Sequence, residues 1–162
     1  MHYLVDGYNV INSSDIFISN TLEDRRRKLI KFIKDFKPHG SQKNSISIIF
    51  DFKSKNSNPN ETSGYSKTYI EGIEIIFSDG MSSADDIIVE IVETSESPYN
   101  ITVVTDDRGI RRRISAFCAK YESVEMFLSK RFKRKDAEFM QKFNNDIKDK
   151  INKELENLWL KK

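Results

Sequence analysis

Short apolar runs, rich in β-branched residues, recur along this chain with helical stretches between them. Five such runs lie at about 2–5, 46–50, 73–77, 101–105 and 123–127. Strands that are apolar on both faces are typical of a parallel sheet with helices packed on either side. The sequence therefore predicts an α/β fold, in which a doubly wound, mainly parallel sheet of about five strands carries helices on both faces.

The stretches between the runs have helical periodicity. After Thr21, a good N-cap residue, Leu22, Leu29, Ile33 and Phe36 fall on one face. A second helix is expected to begin near Ser83, and a third is expected over about 108–120. Regular alternation of strands and helices is the pattern of a doubly wound fold.

Two segments depart from this alternation. Residues 53–68 are almost wholly polar, which predicts a long exposed loop. Residues 134–160 repeat apolar side chains every three or four positions, which predicts one C-terminal amphipathic helix. The segment 130–162 has 11 Lys/Arg against 6 Asp/Glu, a net +5, whereas 1–129 has 16 against 19, a net −3. We expect a domain over 1–129 and a basic helical extension over 130–162, a charge asymmetry that favours a polyanionic partner.

Composition excludes several classes of protein. Cys118 is the only cysteine, so neither an internal disulfide nor a cysteine zinc site is possible. No apolar run approaches the roughly 18 residues of a membrane span, and no secretory signal opens the chain. We expect a cytoplasmic protein without a membrane partner. The two histidines, His2 and His39, have no evident relation to the acids, which argues against histidine-based ribonuclease chemistry.

Acidic residues stand where the predicted strands stop. Asp6, Asp51 and the pair Asp106-Asp107 each follow an apolar run, and Asp85 lies at a helix start. The carboxyl ends of parallel strands meet at one edge of the sheet, where ligands bind in folds of this kind. Carboxylates gathered there repel one another unless a cation lies among them. The pattern predicts a divalent metal site.

Each acid also has a plain structural explanation. Asp6-Gly7 is typical of an Asx turn after a strand, and acids at 85, 86 and 107 suit the N-terminus of a helix. Of the adjacent acids Asp106 and Asp107, one is expected to cap the helix and the other to face the site. It is the recurrence of acids at corresponding places that favours the site over four separate turns.

Three motifs together resemble a known family. They are Asp6-Gly7-Tyr8-Asn9-Val10-Ile11, Ser83-Ala84-Asp85 and Val103-Val104-Thr105-Asp106-Asp107-Arg108-Gly109. They are similar to the NYN domain of the YacP type, which belongs to the PIN-like nuclease superfamily, and the resemblance covers roughly 1–129. It implies an endoribonuclease that depends on Mg²⁺ or Mn²⁺ and cleaves single-stranded RNA. It further implies mRNA as the substrate and the ribosome as a partner.

The resemblance also implies roles for individual residues. The fourth-strand motif of the family usually reads Thr-Ser-Asp-Arg, so Asp107 matches its acid and Asp106 replaces the serine. Asp51 matches an acid often found after the second strand, although Phe52 follows it where a smaller residue is commoner. The implied catalytic residues are Asp6, Asn9, Asp85 and Asp107; the implied metal ligands are Asp6, Asp85, Asp107 and Asp106; the possible additional acids are Asp51, Asp86 and Glu90.

An acidic pocket needs cations nearby if it is to bind RNA. The expected phosphate-binding residues are Arg108, Arg111, Arg112 and Arg113, since they follow the last acidic motif directly. Basic runs at 25–28 and 130–135 are further candidates, and each run equally suits the solvated face of a helix. Tyr65 and Tyr69 would suit base stacking or the anchoring of the long loop.

The alternative to the enzyme is a non-catalytic module of the same fold that binds RNA or the ribosome. Crowded acids beside RNA give such a module little advantage, so their presence favours the nuclease. A phosphatase of the haloacid dehalogenase type is disfavoured because Asp6-Gly7-Tyr8 lacks the second acid of its Asp-x-Asp motif. A receiver domain wants two acids after the first strand, where this chain has one.

Overall fold

A computed structural model of the chain describes residues 1–51, 65–79 and 81–130. The strands are β1 (His2–Asp6), β2 (Ser45–Phe50), β3 (Ser66–Ile70), β4 (Ile73–Phe77), β5 (Ile101–Val104) and β6 (Lys120–Glu122). The helices are α1 (Gly7–Asn12), α2 (Leu22–Phe36), α3 (Ala84–Glu93) and α4 (Arg108–Ser115), followed by α5, which is described over 124–130.

The six strands form one sheet in the order β3-β4-β2-β1-β5-β6. All neighbouring pairs are parallel except β3 with β4, which is antiparallel. The predicted α/β class and the mainly parallel sheet are confirmed. The sequence prediction of about five strands missed β3, a fully exposed edge strand that lies partly inside the stretch expected to be a loop.

Alternate side chains of the strands enter two cores, one on each face. On one face Val5 and Ile48 pack with Phe32 of α2 and Phe127 of α5. On the other, Leu4 packs with residues of α3 and α4, including Ile88 and Ile114. Helices on both faces bury most side chains of β1, β2, β4 and β5, as the sequence predicted, and leave the strand ends as the polar edge of the sheet.

The predicted strand at 123–127 is wrong. A short strand, β6, precedes it, and residues 124–130 are helical. The buried residues Val124, Phe127 and Leu128 have the spacing of one helix face, and the backbone N–H of Val124 donates to the carboxylate of Asp106 at 3.2 Å. The local run looks like a strand, but a side chain from the preceding βα turn caps it as a helix.

The other helices begin where their caps predict. Thr21 accepts a hydrogen bond from the N–H of Asp24 at the start of α2, and Ser83 forms a capping box with Asp86 at the start of α3. The third helix, α4, is shorter than predicted and ends at Ser115, after which Cys118 has a positive φ of 60°.

Several predictions fall on other parts of the chain. The amphipathic helix at 134–160, Phe52 and most of the polar loop at 53–68 lie outside the described residues. Residues Met1–Leu128 form one compact unit, and the boundary near 129 stays a prediction. Within the described ranges, no helix is long and apolar enough to cross a membrane.

Candidate active site

Asp6 lies at the centre of the carboxyl edge of the sheet. It ends β1, is only 7% exposed, and its side chain caps α1 by accepting from the N–H of Asn9 at 3.2 Å. Its second oxygen accepts from the hydroxyl of Thr105 at 3.1 Å. The carboxylate is therefore fixed between the ends of β1 and β5.

Gly7 permits the sharp entry into α1 directly after Asp6. A Cβ atom at this position would lie 2.3 Å from the ring of Phe50 and 2.9 Å from the carbonyl oxygen of Ile49. No real side chain fits that space, so the absence of one lets α1 begin against the end of β2. The sequence predicted a turn here, and the structure has a helix whose first residue is that glycine.

Asp51 links the second strand to α3. Its Oδ1 accepts from the backbone N–H of Ala84 at 2.6 Å, which fixes the first turn of α3 beside the end of β2. Asp85 follows directly and is partly buried. One acid thus positions the helix turn that carries another, which brings together residues far apart in sequence.

The two acids after β5 do not divide as predicted, with one capping the helix and the other facing the site. Asp107 caps α4, since its Oδ1 accepts from the N–H groups of Gly109 at 2.6 Å and Ile110 at 3.0 Å. The carboxylate of Asp106 accepts from Arg111 at 2.8 Å and from Val124. Asp107 caps α4 and its negative charge also raises the pKa of Asp85, whereas Asp106 holds α4 and α5 in place.

The pKa values of two of these acids depend on burial and on the neighbouring acids. Burial raises the pKa of Asp6 to about 6; the hydrogen bonds from Asn9 and Thr105 oppose this, and the negative charges of Asp85 and Asp51 add to it. Burial also raises the pKa of Asp85, with further increases from Asp107, Asp51 and Asp86. Asp6, Asp51, Asp85 and Asp107 thus form one electrostatic cluster, which we call the acidic rim.

The donors of the acidic rim suit a hard divalent cation, because carboxylate oxygens are the ligands that Mg²⁺ and Mn²⁺ favour. Burial is the main cause of the raised pKa values of Asp6 and Asp85, and the neighbouring negative charges add to it; a bound cation would oppose both effects. No group of three Asp, Glu, His or Cys side chains within 1–51, 65–79 and 81–130 is arranged to hold an ion. The assignment of the metal ligands stays a prediction.

The remaining predicted site residues lie around this cluster. Asn9 accepts from the backbone N–H of Asp106 at 2.8 Å, so its amide holds the turn after β5. Asp86 is exposed, and its pKa is lowered by the hydrogen bond from Ser83 and by Arg113. Glu90 is exposed in the second turn of α3.

The four predicted RNA-binding arginines divide into two pairs. Arg111 donates twice to the carbonyl oxygen of Thr105, at 3.1 and 2.9 Å, and its guanidinium lies 4.6 Å from the ring centre of Tyr121. Arg113 pairs with Asp86 at 3.0 Å. Arg108 and Arg112 are exposed and make no side-chain hydrogen bond or ion pair within the described chain. Arg111 therefore stabilises the turn after β5 and Arg113 joins α4 to α3, whereas Arg108 and Arg112 are open to a ligand.

Aromatic and histidine side chains lie elsewhere. Tyr69 is 71% exposed on β3 and donates to Glu74 at 3.0 Å, and Tyr65 stacks with Lys67. His2 contacts Ser47 at the opposite end of β1 from Asp6, and His39 packs on Tyr3. The expectation that the histidines are unrelated to the acids agrees with these positions.

Thr105 is a site residue that the sequence analysis did not single out. It is fully buried, donates to Asp6, and accepts from the N–H of Asp107 at 3.1 Å. One hydroxyl therefore orients two acids of the rim. The available signal was a hydroxyl residue at the last position of an apolar run, immediately before an acidic pair.

Two solved structures have a fold similar to that of this chain. The chain is similar to the crystal structure of Rae1 (YacP) from Bacillus subtilis, with a TM-score of 0.60 and 20% identity over 98% of this chain and 90% of that one. The W164L mutant of the same protein matches with a TM-score of 0.64 and 22% identity, over 90% of this chain and 85% of that one.

No curated protein matches the sequence significantly. The model of the YacP-like NYN domain family, in contrast, matches residues 3–162, nearly the whole chain. The resemblance drawn from the three acidic motifs is confirmed: this chain belongs to the YacP-like NYN domain family.

Proposed function

We propose that this protein is a divalent-metal-dependent endoribonuclease that hydrolyses single-stranded RNA. Its family is one of nuclease-type domains with an RNA-related function. The observation that carries the proposal is the environment of Asp6. A carboxylate that is 7% exposed and has a pKa raised to about 6 is held by two hydrogen bonds among other acids.

Such an arrangement costs stability, because the folded chain retains negative charges that repel one another. Perturbed acids gathered at the edge of a sheet are typical of functional sites. In the proposed site, Asp6, Asp85 and Asp107 would supply the carboxylate ligands of the cation, although no three acids of the described residues are grouped to hold one in this structure. When bound, Mg²⁺ or Mn²⁺ lowers the pKa of water and stabilises negative charge on the phosphate.

The remaining residues of the site orient these three. The Thr105 hydroxyl and the Asn9 backbone N–H hold the two oxygens of Asp6, and Asp51 fixes the helix turn before Asp85. The exposed Arg108 and Arg112 attract the phosphate backbone, which an acidic rim alone would repel.

The finer part of the proposal concerns the substrate. The family resemblance extends it to mRNA cleaved on the ribosome, with the ribosome as a partner. Free RNA and translating ribosomes are therefore both substrates to be tested.

A second candidate is an RNA-binding module of the same fold that does not cut. It is favoured by one observation, that the described residues contain no group of three acids arranged to hold an ion. The two candidates differ in what they require of Asp85, since a module that only binds RNA gains nothing from a repelling acid.

The decisive experiment uses a circular single-stranded RNA, which only an endonuclease opens. We expect linear products with Mn²⁺ or Mg²⁺, none with EDTA, and none from the Asp85→Asn variant. Asp15→Asn, which removes an exposed acid of the turn Asp15–Phe17, is the matched control and should cleave normally. If the folded protein leaves both circular RNA and the mRNA of translating ribosomes intact with these ions, the nuclease proposal fails.

A further inference from the structure

The basic run at 25–28 in α2 contains one residue unlike its neighbours. Arg25 donates to the carbonyl oxygen of Ile11 and to the side-chain oxygen of Asn12, although its buried Nε has no hydrogen-bond partner. Arg27 donates to the Glu23 carboxylate, and Lys28 donates to the carbonyl oxygen of Ile18. Arg26 shares with Arg25 and Lys28 the lack of a carboxylate partner within the described residues, but it alone lies against aromatic rings and donates to a side-chain hydroxyl. The structure thus separates one cation from a run that looks uniform in sequence.

The guanidinium of Arg26 is held by aromatic side chains. Its Nε donates to the hydroxyl of Tyr8 at 3.0 Å, and its Nη2 donates to the same oxygen. Its Cζ lies 5.4 Å from the ring centre of Tyr8, 5.5 Å from that of Phe50 and 5.3 Å from that of Phe77. We call these four residues the arginine–aromatic cluster. Three rings and a hydroxyl fix the direction of the guanidinium, while its Nη1 makes no hydrogen bond within the described chain.

A partly buried cation that has no counter-ion among the described residues favours the binding of an anion. Arginine stacked on aromatic rings is less hydrated than lysine, and its planar donors match the oxygens of a phosphate. Because Tyr8 already orients the side chain, little conformational entropy remains to be lost when an anion binds. The cluster therefore has the features of a preformed phosphate site.

Its position relates it to the acidic rim. Tyr8 follows Asp6 in the first turn of α1, and Phe50 directly precedes Asp51. The cluster lies at the β2–β4 side of the rim, whereas Arg108 and Arg112 of α4 follow β5. With neighbouring strands about 4.8 Å apart, β4 and β5 are separated by about 14 Å across β2 and β1. Cations therefore flank the acids on both sides.

We propose that Arg26, oriented by Tyr8, binds a backbone phosphate of the RNA strand beside the acidic rim. The inference rests on the proposed function, since it takes RNA as the ligand. In this arrangement the strand crosses the rim from the α4 arginines to the arginine–aromatic cluster. Arg26 makes the strand approach acids that would otherwise repel it.

The test compares Arg26→Gln with Arg27→Gln. Both variants remove one positive charge from adjacent positions of α2, but Arg27 is exposed and paired with Glu23. Binding of a fluorescent single-stranded RNA is measured by anisotropy in Ca²⁺, at several salt concentrations. We expect Arg26→Gln to weaken binding about tenfold and to reduce the salt slope by about 0.7, the value for one phosphate contact on a single strand. Arg27→Gln should change the affinity for RNA by no more than about twofold and should leave the salt slope unchanged.

Two further variants separate charge from orientation. Arg26→Lys keeps the charge without the planar donors, so the salt slope should be retained while affinity falls a few-fold. Tyr8→Phe keeps the ring but removes the hydroxyl that holds the guanidinium, and it should raise the KM for RNA more than it lowers kcat. If Arg26→Gln fails to fold by circular dichroism, Tyr8→Phe decides: an unchanged KM overturns the proposal.

Equal affinities and equal salt slopes for folded Arg26→Gln and Arg27→Gln would also overturn it, and would leave Arg26 as a residue that only joins α2 to α1. This result is distinct from failure of the proposed function. If the unmodified protein binds RNA through Arg26 but does not cleave it, only the nuclease proposal is refuted. If the Arg26→Gln variant binds and cleaves RNA as well as the unmodified protein does, only the phosphate site is refuted.

Discussion

Two carboxylates on the same face of the sheet have opposite environments. In the strand register Asp6 pairs with Ile49, and Ile49 pairs with Ile76. Glu74 precedes Ile76 by two residues, so the side chains of Asp6 and Glu74 point to the same face of the sheet. Burial raises the pKa of Asp6 to about 6, and neighbouring acids add to the effect. Burial also acts upward on the pKa of Glu74, but other groups outweigh it and lower that pKa.

The groups that outweigh burial at Glu74 come from the two strands that flank β4, namely β2 and β3. Ser47 and Tyr69 donate hydrogen bonds to its two oxygens, and Lys67 lies 3.3 Å away. This fold therefore has the means to neutralise a carboxylate. At Asp6 the two hydrogen bonds do not offset burial, and the neighbouring side chains are negatively charged rather than positively charged. This contrast is what the proposed metal site would require.

The largest expected effect comes from removing the charge of Asp6. Asp6→Asn should lower cleavage at least about a hundredfold, since loss even of groups that only support a metal ligand costs up to that much. Without metal, the same variant should be more stable than the parent at pH 8, by about 1–3 kcal/mol, because a pKa raised by about two units disfavours the charged form. Asparagine still caps α1 well.

The stability gain has a defined pH dependence. The pKa of Asp6 is raised on folding, so the parent loses stability as pH rises from about 4 to about 6 and keeps that loss above it. The difference between Asp6→Asn and the parent should therefore vanish near pH 4 and reach its full size by about pH 7. Urea unfolding at pH 4, 6 and 8 measures it, with Asp15→Asn as the control. A variant less stable than the parent at pH 8 contradicts the comparison.

Glu74→Gln tests the opposite environment and should act on stability alone. We expect a loss of about 1–3 kcal/mol at pH 7, since hydrogen bonds to a charged group are removed. The pKa of Glu74 is lowered on folding, so its stabilising effect is present above the ordinary glutamate pKa and disappears as pH falls through the folded value. Unfolding at pH 7 and pH 3 measures this, with Glu96→Gln as an exposed control. Loss of cleavage by folded Glu74→Gln would show that the two environments are coupled.

The smallest effects should distinguish the two acids after β5. Asp107→Asn keeps a good cap for α4, so its stability should change by less than about 1 kcal/mol while kcat falls at least about tenfold. Asp106→Asn removes the ion pair with Arg111 and should cost about 1 kcal/mol with cleavage nearly intact. Measuring kcat and the free energy of unfolding for both variants makes the comparison; the reverse result would make Asp106 the ligand.

Much of this architecture could be predicted from the sequence, because burial on both sides of a parallel sheet makes its strands apolar in sequence. The strands β1, β2, β4 and β5 and the acids at their ends follow directly from that pattern. The edge strand β3 did not, since a fully exposed strand has no apolar face to detect. The segment at 123–127 was misassigned because its helical cap, Asp106, comes from another part of the chain.

The same limit applies to the site. Sequence placed Asp6, Asp51, Asp85 and Asp107 at one edge, and their mutual effects on pKa agree with that. It could not assign Arg111 and Arg113 to pairing with Asp106 and Asp86, or separate Arg26 from Arg25 and Arg27. Those differences depend on which side chains lie across from each other after folding.

Gly7 has a consequence for how this domain can diverge. The ring of Phe50 occupies the space that a side chain at position 7 would need, and the same ring lies beneath the guanidinium of Arg26. A homologue with alanine at position 7 would need a smaller residue at position 50, and Arg26 would then lose one of its three ring contacts. We therefore expect positions 7, 26 and 50 to change together in evolution, although none of them is acidic and only one is charged.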